Sequence, residues 1–166
     1  MLHSLTTKID RILNFEQASA HCDIPCKIYD PSSAQVAALS VIRFIDLINE
    51  LESKDSLNLA DHAQLARLVR EKEIHAQIVK DEIVVIWGDY FKQPQFEAFP
   101  DASELVHNIL LTGSACKQHI NRDKAVALLN LVNDFAEMFW ATKGVDIYIA
   151  TCPYPPSESV VYPKLA

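Results

Sequence analysis

Only three glycines occur among the 166 residues of this chain. Glycine supplies left-handed turns and β-bulges without steric cost, so a chain this poor in it has few means of building a many-stranded sheet. Apolar residues make up 49% of the sequence, enough for a packed core, and the expectation is all-α. Twenty-two acidic against 15 basic residues leave a net charge of −7, and the length suits one soluble domain of ordinary size. No apolar run approaches the ~20 residues that cross a bilayer, and an acidic chain without a basic stripe repels phosphate backbones. Neither nucleic acid nor a membrane is expected as a partner.

Apolar positions recur at helical spacing in four segments. Asp30-Pro31 opens the first, with Ala34, Ala38, Val41, Ile45, Ile48 and Leu51 on one face. Asn58, with Asp61 three residues on, starts a second, which carries Leu65, Leu68, Ala76, Val79, Ile83 and Ile86 to Trp87 and stops near Gly88. Pro94 and Pro100 forbid a continuous helix through GDYFKQPQFEAFP, which reads as an ordered loop whose aromatics pack on a bundle end. Asp101 and Glu104 start a third, short helix with Leu105, Ile109 and Leu110, stopped by Gly113. Asn121 caps a fourth, whose face Ala125, Leu128, Leu129, Val132, Phe135, Ala136, Phe139 and Trp140 runs up to Gly144. An antiparallel four-helix bundle buries all four faces.

The two ends of the chain lie outside this pattern. Residues 1 to 20 hold Leu2, Leu5, Ile9, Ile12 and Leu13, but Lys8, Asp10 and Arg11 break any secretory core, and Ala18-Ser19-Ala20 has the small residues of a cleavage site. The tail, residues 151 to 166, has four prolines in sixteen positions and is expected to run extended over the surface or to be mobile, as a candidate contact with a neighbouring subunit. The expected organisation is therefore a leader over 1–20, a bundle with its amino-terminal segment over 21–150, and a tail over 151–166.

Residues 21 to 31 read HCDIPCKIYDP, with an imidazole beside one thiol and a second thiol four positions later. A Cys-x3-Cys pair alone fits half a zinc site or two buried or disulfide-paired thiols. Cutting the chain between Ala20 and His21 adds a free α-amine at His21. An amine, a deprotonated peptide nitrogen and the thiolates of Cys22 and Cys26 make a square-planar donor set, the geometry that Ni(II) and Cu(II) prefer to tetrahedral zinc. Nickel is the expected metal.

This segment closely resembles the amino-terminal nickel hook, HCDxPCxxYDP, of the nickel-containing superoxide dismutases. WGDYFKQPQFE, residues 87 to 97, resembles that family's W-x-D-Y-F-K-x-P-x-F-E segment, and MFWATKG, residues 138 to 144, resembles its FW-x-x-K signature. The resemblance spans roughly residues 21 to 150. It implies a cytoplasmic homohexamer of four-helix bundles, processed by a maturation protease, with one nickel ion per subunit. The implied reaction is 2 O2•− + 2 H+ → O2 + H2O2 through a Ni(II)/Ni(III) cycle. His21 amine, Cys22 nitrogen and sulfur and Cys26 sulfur would form the metal plane, with the His21 imidazole as axial ligand. Thiolate and amidate donors stabilise the higher oxidation state. The resemblance also implies a cis Ile24–Pro25 bond and roles for Tyr29 and Tyr90, whose hydroxyls would order water or peroxide and narrow access.

Two positions depart from the family's pattern. The glutamate and arginine that hold the imidazole there fall on Ala37 and His75 here, leaving His75, Glu73 or Arg70 to support His21. Lys27 stands where the family commonly has glycine, and with Lys92 it is a candidate for steering superoxide. Cys116 and Cys152 read as inert buried thiols or a mutual pair, and His62, His75, His107 and His119 show no ligand spacing. Competing readings are a non-catalytic nickel- or zinc-binding storage or sensing protein, and a thiol oxidoreductase using Cys22 and Cys26.

Overall fold

The computed structural model describes residues 27–165. Its elements run α1 (Ser32–Glu52), α2 (Leu59–Val85), a π-helical turn (Ile86–Tyr90), α3 (Gln93–Ala98), α4 (Ala102–Gln118), α5 (Arg122–Thr142), β1 (Ile147–Thr151) and β2 (Ser159–Pro163). The four long helices close a ring in which α1 and α4 each pack on both α2 and α5. Short connections force chain neighbours to run antiparallel, so the expected four-helix bundle is the fold found.

The periodic faces fill its interior. Ala34, Ala38, Val41 and Ile45 of α1, Ala76, Val79 and Ile83 of α2, Val106 and Ile109 of α4, and Leu128, Val132, Phe135 and Phe139 of α5 form one buried cluster. Ile48, Leu51 and Leu68 form a second, with Phe44, Leu57 and Leu65 packed against it. The Asn58 carboxamide oxygen accepts from the amides of Ala60 and Asp61 at 2.8 and 3.1 Å, and Asp61 Oδ2 accepts from the Asn58 amide at 3.0 Å. This is the capping box expected at the start of α2. Asn121 caps α5 by accepting from the Lys124 amide at 2.9 Å, and Gly144 stops it at φ 67°. Asp30 Oδ1 accepts from the Ser32 amide at 2.8 Å, so α1 begins one residue later than Pro31.

Three expectations are corrected. Gly88 does not end α2, and GDYFKQPQFEAFP is not a loop. The helix continues as a π turn to Tyr90, the Phe91 amide donates to Ile86 O at 3.4 Å, and α3 follows with Pro94 in its first turn. A proline in the first turn loses no helical hydrogen bond, so it opens this helix instead of breaking it.

Gly113 does not stop α4 either; it lies inside the helix, buried where a Cβ would meet Lys80 Cγ at 3.1 Å. The glycine costs about 1 kcal/mol of helix propensity and in return lets the Lys80 stem lie across α4, where Lys80 Nζ donates to Ser114 Oγ at 3.0 Å. The real terminus is set from another helix. Lys72, 1% exposed, donates through Nζ to Cys116 O at 2.5 Å and Lys117 O at 2.7 Å, satisfying carbonyls that α4 leaves without helical partners. Burial pushes the Lys72 pKa below its ordinary value.

The tail is extended, as expected, but paired. β1 and β2 form an antiparallel hairpin with Ile149 opposite Val161, and Val160, Val161 and Cys152 are buried. Two amide side chains clasp it to the bundle. Gln35 Nε2 donates to Val161 O at 2.8 Å and to Asn133 Oδ1 at 3.1 Å, while Asn133 Nδ2 donates to Ser159 O at 2.9 Å and its Oδ1 accepts from the Val161 amide at 3.2 Å. Arg122 adds ion pairs to Asp46 at 2.8 Å and Glu158 at 2.6 Å, and these carboxylates, Glu158 foremost, raise its pKa.

Candidate metal centre

His21, Cys22 and Cys26, with Ile24 and Pro25 between them, lie outside the described residues. The description begins at Lys27, one residue beyond the second thiol, and follows the chain from there into α1. Lys27 is exposed and adopts φ 58°, the left-handed region that glycine enters without steric cost. Lysine meets this conformation at a cost of about 1 kcal/mol.

Tyr29, two residues on, packs against Tyr90 with ring centroids 5.9 Å apart. The π turn delivers Tyr90: its extra residue shifts the chain relative to a regular helix, and such turns recur at functional sites. Tyr90 is held from its other sides by Phe139 at 5.1 Å and Phe91 at 5.7 Å between centroids. Its hydroxyl lies 2.7 Å from Thr142 Oγ1, and Lys143 Nζ sits 4.2 Å from its ring centroid. A cation over a π face is attracted by about 0.5–1 kcal/mol at an exposed site. The three segments singled out in the sequence therefore meet around one ring: Tyr29 from the first, Tyr90 from the second, and Phe139, Thr142 and Lys143 from the third.

Lys92 Nζ donates back to Gly88 O at 3.1 Å on the exposed surface, and Lys27 carries its charge beside the hook. Lys143 is the cation in contact with Tyr90. Its role is not legible in MFWATKG, because it comes from the ring of Tyr90, distant in the chain.

Ala37 and His75, the two departing positions, line one cavity of about 400 Å³ with Ser32, Ser33, Val36 and Ile78. His75 Nδ1 is 2.8 Å from Glu71 O, and the ring stands edge-on to Phe44 at 5.1 Å. Arg70 and Glu73 are exposed and do not line this cavity, so of the three residues named to support His21 only His75 faces it.

The remaining cysteines are buried and unpaired, so they do not bridge each other. Burial pushes the Cys116 thiol up to about 11, and Cys152 Sγ donates to Tyr154 O at 3.2 Å. Held protonated, the Cys116 thiol is a poor metal ligand and a poor nucleophile. Among the described residues no group of three or more His, Cys, Asp or Glu could hold a metal ion. The donor set of residues 21–26, an amine once the chain is cut, an amide nitrogen and two thiolates, fits nickel, and Tyr29, three residues beyond Cys26 in the sequence, packs on Tyr90.

Comparison with known proteins agrees. A family model described as nickel-containing superoxide dismutase matches residues 16–143. The chain is 34% identical over 127 residues to the superoxide dismutase [Ni] of Streptomyces seoulensis, covering 76% of this chain and 91% of that one. It is 35% identical over 125 residues to that of Streptomyces coelicolor, covering 75% and 89%. A native nickel superoxide dismutase structure superposes with a TM-score of 0.65 at 31% identity, over 75% of this chain and 99% of the other. The hairpin from Ile147 to Pro163 lies beyond the family match.

Proposed function

The chain belongs to the nickel-containing superoxide dismutases and converts superoxide to dioxygen and hydrogen peroxide with one nickel ion per subunit, and from that premise we propose which of its residues do the work. His21, Cys22 and Cys26 hold the nickel once residues 1–20 have been removed by a maturation protease. An internal His21 would offer an amide where the site needs an amine. The bundle domain over 21–150 carries the site, and the protein acts as a cytoplasmic homohexamer. Among the described residues no helix is long and apolar enough to cross a membrane.

Bound nickel supplies the one-electron couple that both halves of the dismutation need. The two thiolates contribute anionic charge that favours the higher oxidation state. Tyr29 and Tyr90 border the site and narrow access to it, so that small molecules enter and larger reductants do not. Lys27, Lys92 and Lys143 attract the superoxide anion toward a mouth that would otherwise share the repulsive field of a chain carrying −7.

The observation that carries this reading is the meeting of Tyr29, Tyr90 and Lys143, because it sets the end of the hook against the two other segments that resemble the family. Superoxide decay followed by pulse radiolysis tests it. Protein beginning at His21 and loaded with nickel should be active, and the chain beginning at Met1 should not. Full nickel-dependent activity of the Met1 form would contradict the assignment.

A further inference from the structure

The hydroxyl of Tyr90 is held in a chain of hydrogen bonds whose direction the geometry fixes. Thr142 has one hydroxyl proton, and it donates to Phe139 O at 2.6 Å. Phe139 lies in the last four residues of α5, where carbonyls lack the next helical turn and are open to such a donor. With its proton committed, Thr142 Oγ1 can only accept across the 2.7 Å to Tyr90, so the Tyr90 phenol is the donor. The packed rings of Tyr29, Phe91 and Phe139 hold the ring in place and keep the hydroxyl on Thr142.

We propose that Thr142 is a positioning residue that makes Tyr90 a hydrogen-bond acceptor only toward the metal site, and thereby a discriminator between substrate and product. The inference rests on the placement of Tyr90 at that site. Superoxide is an anion with no proton to give, so an oxygen that offers only lone pairs gives it no hydrogen bond. Hydrogen peroxide and water carry protons and can donate to it. Attraction of the anion then falls to Lys143, on the face of the same ring, while the Tyr90 oxygen receives the protonated product. A phenol free to donate would instead hold any small anion that entered and slow the exchange of substrate for product.

The test uses processed, nickel-loaded protein and azide, a small anion without a proton. Thr142→Val keeps the shape and removes the acceptor, and should tighten azide binding about tenfold, measured by spectral titration, because the freed phenol donates a hydrogen bond to a charged group. Thr142→Ser should bind azide as the unmodified protein does, and Tyr90→Phe/Thr142→Val should lose the gain. The tyrosine Fermi doublet in ultraviolet resonance Raman difference spectra against Tyr90→Phe should show a donating phenol in the unmodified protein and in Thr142→Ser, and a changed state in Thr142→Val. Unchanged azide affinity in Thr142→Val, or a gain that survives in the double variant, overturns the proposal. Should Tyr90→Phe leave superoxide turnover untouched, the placement of Tyr90 fails and takes the proposal with it. Should Tyr90→Phe slow turnover while Thr142→Val leaves azide binding unchanged, only the role of Thr142 fails.

Discussion

Replacing Asn133 by alanine should undock the carboxyl-terminal hairpin while leaving the four helices folded. Asn133 is 9% exposed and makes three hydrogen bonds, to Ser159 O, the Val161 amide and Gln35 Nε2. Each contributes about 1 kcal/mol net, and removing the side chain also leaves the Val161 amide short of its acceptor in a buried place, so the expected loss is about 3–4 kcal/mol. At ~2–4 °C per kcal/mol for a chain of this size, the melting temperature should fall by about 10 °C at fixed nickel loading. Gln35→Leu, which removes the partner amide, should add less than its own single effect when combined with Asn133→Ala, because the two share one network. Calorimetry gives the first number, and hydrogen exchange at the Val161 amide locates the change. A fall of less than about 2 °C, with Val161 still protected, would refute the clasp.

Other consequences follow from the site. Cys22→Ser or Cys26→Ser should abolish dismutation, and far-ultraviolet circular dichroism should change little, because both residues precede α1; substantial turnover in either variant would remove that thiolate from the site. Lys143→Glu should slow the bimolecular reaction and reverse its salt dependence, whereas Lys92→Glu, whose parent amine is tied to Gly88 O, should do less. Pulse radiolysis across ionic strength separates them, and equal effects would deny Lys143 a special place. In alkali the Cys116 thiol stays protonated in the folded chain up to about 11 while the unfolded chain ionises lower. Stability should therefore fall as pH rises from about 9 toward 11, by roughly 2–3 kcal/mol from this group alone. Lys72, whose pKa is lowered, acts in the opposite sense, so the thiol's part is read as the difference in pH slope between the unmodified chain and Cys116→Ala.

The parts of the fold legible in the sequence were those decided within a few turns of helix. The faces from Ala34 to Leu51 and from Ala125 to Phe139 are buried as their spacing requires, and the caps at Asn58 and Asn121 are local chemistry. The features that differ from the sequence expectation depend on distant partners. Gly113 looks like a stop until Lys80 is seen lying over it, and the end of α4 belongs to Lys72, 44 residues from Cys116. The four prolines hid a hairpin whose strands are written in IYIAT and SVVYP, and whose anchors, Gln35 and Asn133, are polar residues on otherwise apolar helix faces. The metal ligands could be proposed from chemistry alone because three donors fall within six residues. Lys143 and Thr142 could not, since their meaning comes from the ring of Tyr90, 52 residues away from Thr142.

Native mass spectrometry of the purified protein, with fragmentation of each species, tests most directly whether nickel is held by a processed amino terminus. The account predicts one nickel ion on each chain that begins at His21 and none held at comparable strength on chains that begin at Met1. Nickel retained equally by Met1 chains, or by His21 chains in which both Cys22 and Cys26 are serine, would contradict it.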